Sequence, residues 1–124
     1  MNEHPAALIL EDEAILAFAL EDMLLEMGFA KVAVASTIEE ANQLLENWAP
    51  ALAILDVNIR GERSYGVAQR LGESGIPLVF ATGYGDAERP EAFAHIPTLA
   101  KPYGLEQLRT VLQSLPVCEE SGDI

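Results

Sequence analysis

Four short apolar runs each stop abruptly at a residue able to do chemistry, and that repeated pattern constrains the fold more than any other feature of the chain. Ala6 to Leu10 (AALIL) ends at Glu11-Asp12-Glu13, and Ala51 to Leu55 (ALAIL) ends at Asp56. Leu78 to Ala81 (LVFA) ends at Thr82, and the weaker run Ile96 to Ala100 ends at Lys101. Runs of four to five consecutive apolar residues suit strands buried on both faces, as in a parallel sheet. Lys31 to Ala35 (KVAVA) reads as a further strand.

Between the runs the period changes. Ile15, Leu16, Ala19, Leu20, Met23, Leu24 and Met27 recur at three- and four-residue steps, predicting an amphipathic helix over about 13–27 with its apolar stripe inward. Gly28 follows at the position of a left-handed C-cap. Ser36 and Glu39 have capping-box spacing ahead of a second helical stripe, Ile38, Ala41, Leu44, Leu45 and Trp48, which Pro50 closes. A polar loop, VNIRGERS, leads to a third helix near Tyr65 to Glu73, and Gly75 and Pro77 punctuate the entry to the next strand. Leu105, Leu108, Val111, Leu112 and Leu115 mark the last helix. The segment GYGDAERPEAFAH has two glycines, a proline and no strong stripe, so the fourth helix is expected to be short or irregular.

Strand and helix alternate at βαβ spacing, which implies a doubly wound α/β fold with a five-stranded parallel sheet and helices on both faces. The 124 residues fit one domain, over 1–116, with 117–124 expected to be a flexible acidic tail. Twenty acidic residues against seven basic ones give a formal charge of −13, which argues against unaided binding to nucleic acid or to an anionic membrane surface. The lone Cys118 cannot form an internal disulfide, and no signal peptide or apolar run of roughly 20 residues is present. These features point to a soluble, cytoplasmic protein.

In an open parallel sheet the C-terminal ends of the strands share one edge, where ligands bind. That edge gathers Glu11, Asp12, Asp56, Thr82 and Lys101 from distant parts of the chain. Crowded carboxylates repel, and a hard cation such as magnesium relieves the conflict while using only one or two of them. The remaining carboxylate is then free to act as a nucleophile toward a phosphoryl donor, with Lys101 and the metal supplying positive charge and Thr82 placed to donate a hydrogen bond. Taken singly, each residue has an ordinary structural reading. Asp12 suits a helix N-cap, Asp56 and Thr82 suit turns, and Lys101 suits a solvated surface. Their arrival on one edge is harder to explain that way.

The ordered set LILEDE, ILDVNIRG, FATGYG and LAKPYG resembles the receiver domain of bacterial response regulators, from about Ala6 to Leu115. The resemblance implies the flavodoxin-like (βα)5 fold of two-component signalling. It implies that Asp56 is the phosphoacceptor, charged by a phosphohistidine on a histidine kinase or a histidine phosphotransfer protein. It further implies that Asp12 binds Mg2+ (or Mn2+) directly and Glu11 does so through water. Asp56 and the backbone carbonyl of Asn58 complete the set, Lys101 contacts the phosphoryl group and Thr82 acts as the switch. The Lys101–Pro102 bond is expected to be cis. IPLVFATGY is similar to a subgroup with a Phe-Ala-Thr-Gly motif found among alphaproteobacterial single-domain regulators.

Two departures stand out. Thr98 occupies the place of the aromatic that usually reports on the threonine, and reads as a plain strand residue. The weak fourth helix implies a non-standard output surface, with Tyr84 and Tyr103 as contact candidates, a packing role being equally open to them. The implied output is a downstream protein partner, as relay, phosphate sink or adaptor, without direct nucleic-acid binding or membrane insertion. Apart from its own phosphorylation and dephosphorylation, the chain is expected to be no enzyme. A magnesium-dependent phosphatase is the rival reading, but Asn58 stands where such enzymes often carry a second acid. A receiver that binds partners without phosphorylation, and a flavodoxin-like cofactor binder, are further alternatives.

Overall fold

The computed structural model describes residues 5–83 and 90–115. The elements are β1 (Ala6–Leu10), α1 (Ala14–Glu26), β2 (Lys31–Ala35), α2 (Ile38–Glu46) and β3 (Leu52–Asp56), followed by the short strands β4 (Asn58–Ile59) and β5 (Glu62–Arg63). Then come α3 (Tyr65–Glu73), β6 (Leu78–Thr82), a 3-10 turn at Glu91–Phe93, β7 (Thr98–Ala100) and α4 (Leu105–Gln113). The expected acidic tail at 117–124, with Cys118, lies outside the described residues, as do Tyr84 and Gly85.

Five strands form one parallel sheet in the order β2-β1-β3-β6-β7. The order reverses between β1 and β3, which places the sheet's switch-point crevice outside Leu10 and Asp56. The strands separate two cores by simple alternation. Ala7, Ile9, Leu52, Ile54, Val79, Ala81 and Leu99 pack with α1 and α4 residues such as Leu20, Leu24, Leu108 and Leu112. Leu8, Leu10, Ala53, Leu55, Leu78 and Phe80 pack with Ala41, Val67, Ala68 and Leu71 of α2 and α3. This is the expected doubly wound flavodoxin-like architecture, and among the described residues of the segment where the irregular fourth helix was placed there is a 3-10 turn at Glu91–Phe93.

Local details differ from the sequence expectations at four points. The cap of α2 is shifted by one residue: Thr37, not Ser36, accepts from the Glu40 amide, and Glu40 accepts from both the amide and the hydroxyl of Ser36. Both placements satisfy free amides, but only this one starts the helix at Ile38. Ile15 and Ala19, placed on the inward stripe of α1, face out, with Ile15 82% exposed. Because α1 carries apolar residues around much of its circumference, the sequence period could not select the buried face. Ile96 is buried but precedes β7, since Pro97 has no amide to donate to the ladder. The polar loop VNIRGERS contains a short antiparallel hairpin, β4–β5, that the sequence had not suggested. Gly28 has the expected positive φ, 110°.

Candidate active site at the strand ends

The alternation that sorts the two cores also aims the site. Ala7 and Ile9 continue to Glu11, Leu52 and Ile54 continue to Asp56, and Leu99 continues to Lys101. Three polar side chains thereby emerge on the same side of the sheet, just past its apolar core. Lys101 Nζ lies 2.8 Å from Asp56 Oδ2 and 3.0 Å from Glu11 Oε1. Glu11 and Asp56 are both buried. Removing two carboxylates from water is costly, and the shared ammonium offsets that cost.

The electrostatics follow from this packing. Burial raises the Glu11 carboxyl above its ordinary range, and the Asp56 charge adds to the rise against the opposing bond from Lys101. Burial works against the Lys101 ammonium, yet its hydrogen bonds to Asp56 and Glu11 outweigh that and push it up to about 12. Tyr103, open in the sequence to either contact or packing, is half-buried against the α1–α4 core. Burial, with the Glu11 charge beside it, pushes its hydroxyl up to about 12. Tyr103 follows the Lys101–Pro102 bond, which is cis as expected, and packs against the core between β7 and α4.

Asp12 is not the N-cap of α1. Glu13 holds that place, without a side-chain bond, and the Asp12 carboxylate reaches across to the β4–β5 hairpin. There Asp12 Oδ2 accepts the Arg60 amide at 3.0 Å. Oxygens of Glu11, Asp12 and Asp56 can all lie within 4.8 Å of one another.

The hairpin determines what Asn58 presents. Its register pairs Asn58 with Arg63 and Ile59 with Glu62, and the Ser64 amide donates to the Val57 carbonyl. Antiparallel pairs alternate between those that exchange hydrogen bonds and those that do not. With bonds at Val57–Ser64, the Asn58–Arg63 pair is of the second kind, so the Asn58 amide and carbonyl turn away from β5. The amide accordingly donates to Asp56 Oδ1 at 3.2 Å. The carbonyl is left available on the same strand edge. Three carboxylates and a carbonyl form an all-oxygen donor set, which fits a hard divalent cation.

Ser64 is a site residue the sequence reading missed. It is fully buried, and its hydroxyl donates to the Asp56 carbonyl at 2.7 Å, fixing the backbone of the strand end. A serine ahead of a helix ordinarily reads as a cap, and no sequence signal separates the two roles. Thr82 lies at the end of β6 but follows the other alternation, with Leu78 and Phe80. It is half-buried, its carbonyl accepts the Lys101 amide at 2.8 Å, and among the described residues its side chain is not bonded to Asp56 or Lys101. Thr98 is an exposed residue of β7, as expected of a plain strand position.

The profile of the response regulator receiver domain family matches residues 7–113. Among solved structures, the chain is similar to SdrG from Sphingomonas melonis, with 36% identity, a TM-score of 0.82, and coverage of 92% of this chain and 98% of that one. Among curated proteins it is 31% identical over 105 residues to the transcriptional regulatory protein PdtaR of Mycobacterium tuberculosis, covering 82% of this chain and 51% of that protein. It is 34% identical over 113 residues to TctD of Salmonella typhimurium, covering 87% of this chain and 50% of that protein. The chain thus spans about half the length of these curated relatives. No helix among the described residues is long and apolar enough to cross a membrane.

Proposed function

The chain belongs to the response regulator receiver domain family of two-component signalling, and from that membership we propose that Asp56 accepts a phosphoryl group from a phosphohistidine. The observation that carries the proposal is the Asp56 carboxylate itself: buried at a strand end, paired with Lys101, and within reach of two further acids. In the step, an Asp56 carboxylate oxygen bonds to phosphorus as the phosphorus–nitrogen bond of the donor breaks, and the imidazole leaves with that electron pair. The Asn58 amide holds Oδ1 and thereby sets the carboxylate's rotation. Lys101 turns from Asp56 Oδ2 to the incoming phosphoryl oxygens, keeping its charge where negative charge collects. Tyr103 limits water on the α4 side.

Glu11, Asp12, Asp56 and the Asn58 carbonyl would hold Mg2+ or Mn2+, which would supply positive charge for the phosphoryl oxygens. The Thr82 hydroxyl is the switch group, closing on the phosphoryl once it is present, with the FATGY subgroup motif around it. SdrG has also been solved in a BeF3-activated conformation, and this chain is proposed to share such an activated state. Ile15 and Phe18, 82% and 69% exposed on the first turns of α1, supply an apolar landing surface beside the acids for a histidine kinase or phosphotransfer partner. Output passes to a downstream protein, and the chain catalyses nothing beyond its own phosphorylation and dephosphorylation.

Incubation with acetyl phosphate, with and without Mg2+, followed by intact mass, tests the reading. A magnesium-dependent phosphoryl adduct is expected on the wild type and not on Asp56→Asn. No adduct from acetyl phosphate or from a phosphohistidine donor would overturn it.

A further inference from the structure

The β4–β5 hairpin turns through Arg60 and Gly61, with φ of 53° and 85°. Two successive left-handed residues between paired strands make a type I′ turn, whose twist suits a two-residue hairpin. Gly61 adopts this conformation freely, whereas for an arginine it is uncommon and strained. The strain is held in place from several sides. Asn58 Oδ1 accepts the Gly61 amide at 3.0 Å, Ile59 is buried in the α2–α3 core, and Ser64 is bonded through its amide and its hydroxyl to Val57 and Asp56.

The left-handed turn has one directional result at the site. It points the Arg60 amide out of the hairpin and into Asp12 Oδ2. The same hairpin holds Asp56 through the Asn58 amide and turns the Asn58 carbonyl toward the strand edge. One rigid element therefore sets the positions of three donor groups, one of them, Asp12, from a distant segment of the chain. Without the amide, Asp12 would be free to swing away from Glu11 and Asp56, whose charges repel it.

We infer that Arg60–Gly61 is a positioning turn: its left-handed backbone, not the arginine charge, fixes Asp12 and sizes the cation site for a small ion. The inference rests on the cation-site reading above. Magnesium tolerates little departure from octahedral geometry, whereas calcium accepts flexible and varied ligand sets. A pre-set frame thus favours magnesium, and loosening the frame should cost magnesium affinity without comparable loss for calcium.

Substitutions can separate conformation from charge. A Cβ at Gly61 meets nothing within 4 Å, so Gly61→Ala acts through the backbone alone. Arg60→Val disfavours the positive φ strongly, while Arg60→Asn removes the guanidinium and keeps a residue that tolerates it. Calorimetric titration of the phosphate-free protein with Mg2+ and with Ca2+ is the test, with circular dichroism as the control on folding. Gly61→Ala and Arg60→Val should weaken Mg2+ binding about three- to tenfold, from the left-handed penalty of a side chain. Ca2+ binding should change less than about twofold, and Arg60→Asn should match the wild type for both ions. Unchanged Mg2+ affinity in Gly61→Ala and Arg60→Val, an equal loss for both ions, or an Arg60→Asn loss equal to that of Arg60→Val would each overturn the positioning role. A wild type that binds neither ion would overturn the cation-site reading and the inference together.

Discussion

The Lys101 ammonium stands 2.8 Å from Asp56 Oδ2, on the carboxylate that the proposed chemistry requires as a nucleophile. The same nitrogen is 3.0 Å from Glu11 Oε1, so one cation serves two buried acids.

The pairing sets an alkaline limit on stability. Lys101 is pushed up to about 12 in the folded chain, above its ordinary value of 10.5. A raised folded value means that the stabilisation is complete below about 10.5 and disappears as the pH rises through 12. Because Lys101 is only partly buried, solvent screening reduces the contribution of this shift to on the order of 1 kcal/mol at neutral pH. Urea unfolding of the wild type and Lys101→Met should differ by roughly that amount at pH 8, and the gap should close between about pH 10.5 and 12.

Divalent metal should stabilise the fold. At about 100 times its dissociation constant, Mg2+ adds roughly 2.7 kcal/mol to unfolding, and EDTA removes it. Asp12→Ala should lose most of this gain, read as the magnesium-dependent shift in melting temperature. The gain should also fall on acidification from above the ordinary carboxylate range, because the raised Glu11 carboxyl holds its proton more tightly and proton and metal compete.

Ser64→Ala removes the hydroxyl that satisfies the Asp56 carbonyl inside the protein. A buried carbonyl left without its donor costs about 1–3 kcal/mol, which denaturant titration will measure. Phosphorylation of Asp56 by acetyl phosphate should slow as well, since the strand end is no longer fixed. A normal rate at reduced stability would confine Ser64 to a packing role.

At the start of α2, the amide and then the hydroxyl of Ser36 hold the Glu40 carboxyl below its ordinary range. A depressed folded value gives stabilisation that is present above about 4.5 and lost as the pH falls through the folded value. The stability difference between the wild type and Glu40→Ala should therefore be constant from pH 7 to about 5 and shrink below pH 4.5.

Much of this was legible in the residues. The apolar runs located the five strands of the main sheet, and their polar ends located Glu11, Asp12, Asp56 and Lys101, because a parallel sheet collects its strand ends on one edge. Less visible were features decided by tertiary contacts. The Asn58–Arg63 hairpin read as a polar loop, although its Arg60-Gly61 dipeptide needed only one unusual arginine to make a tight turn. Nothing in the sequence marked Ser64 for its bond to Asp56, and Tyr103 stayed open between surface contact and packing, because neither burial nor the direction of a hydroxyl is written in local pattern. The outward face of α1 was obscured for the opposite reason: apolar residues lie almost all around it.

The strict alternation along β1 and β3 has a consequence for how such a chain can change over time. Odd positions of β1 and even positions of β3 lead to Glu11 and Asp56, while their neighbours lead into the opposite core. Inserting or deleting one residue within either strand would send the acid into oil and a leucine or valine into the crevice at the strand ends. Length variation must therefore be confined to segments outside these strands and the hairpin that follows β3. The spacing from Ala7 to Glu11 and from Leu52 to Asp56 is thus a ruler that descent can recolour but not recut.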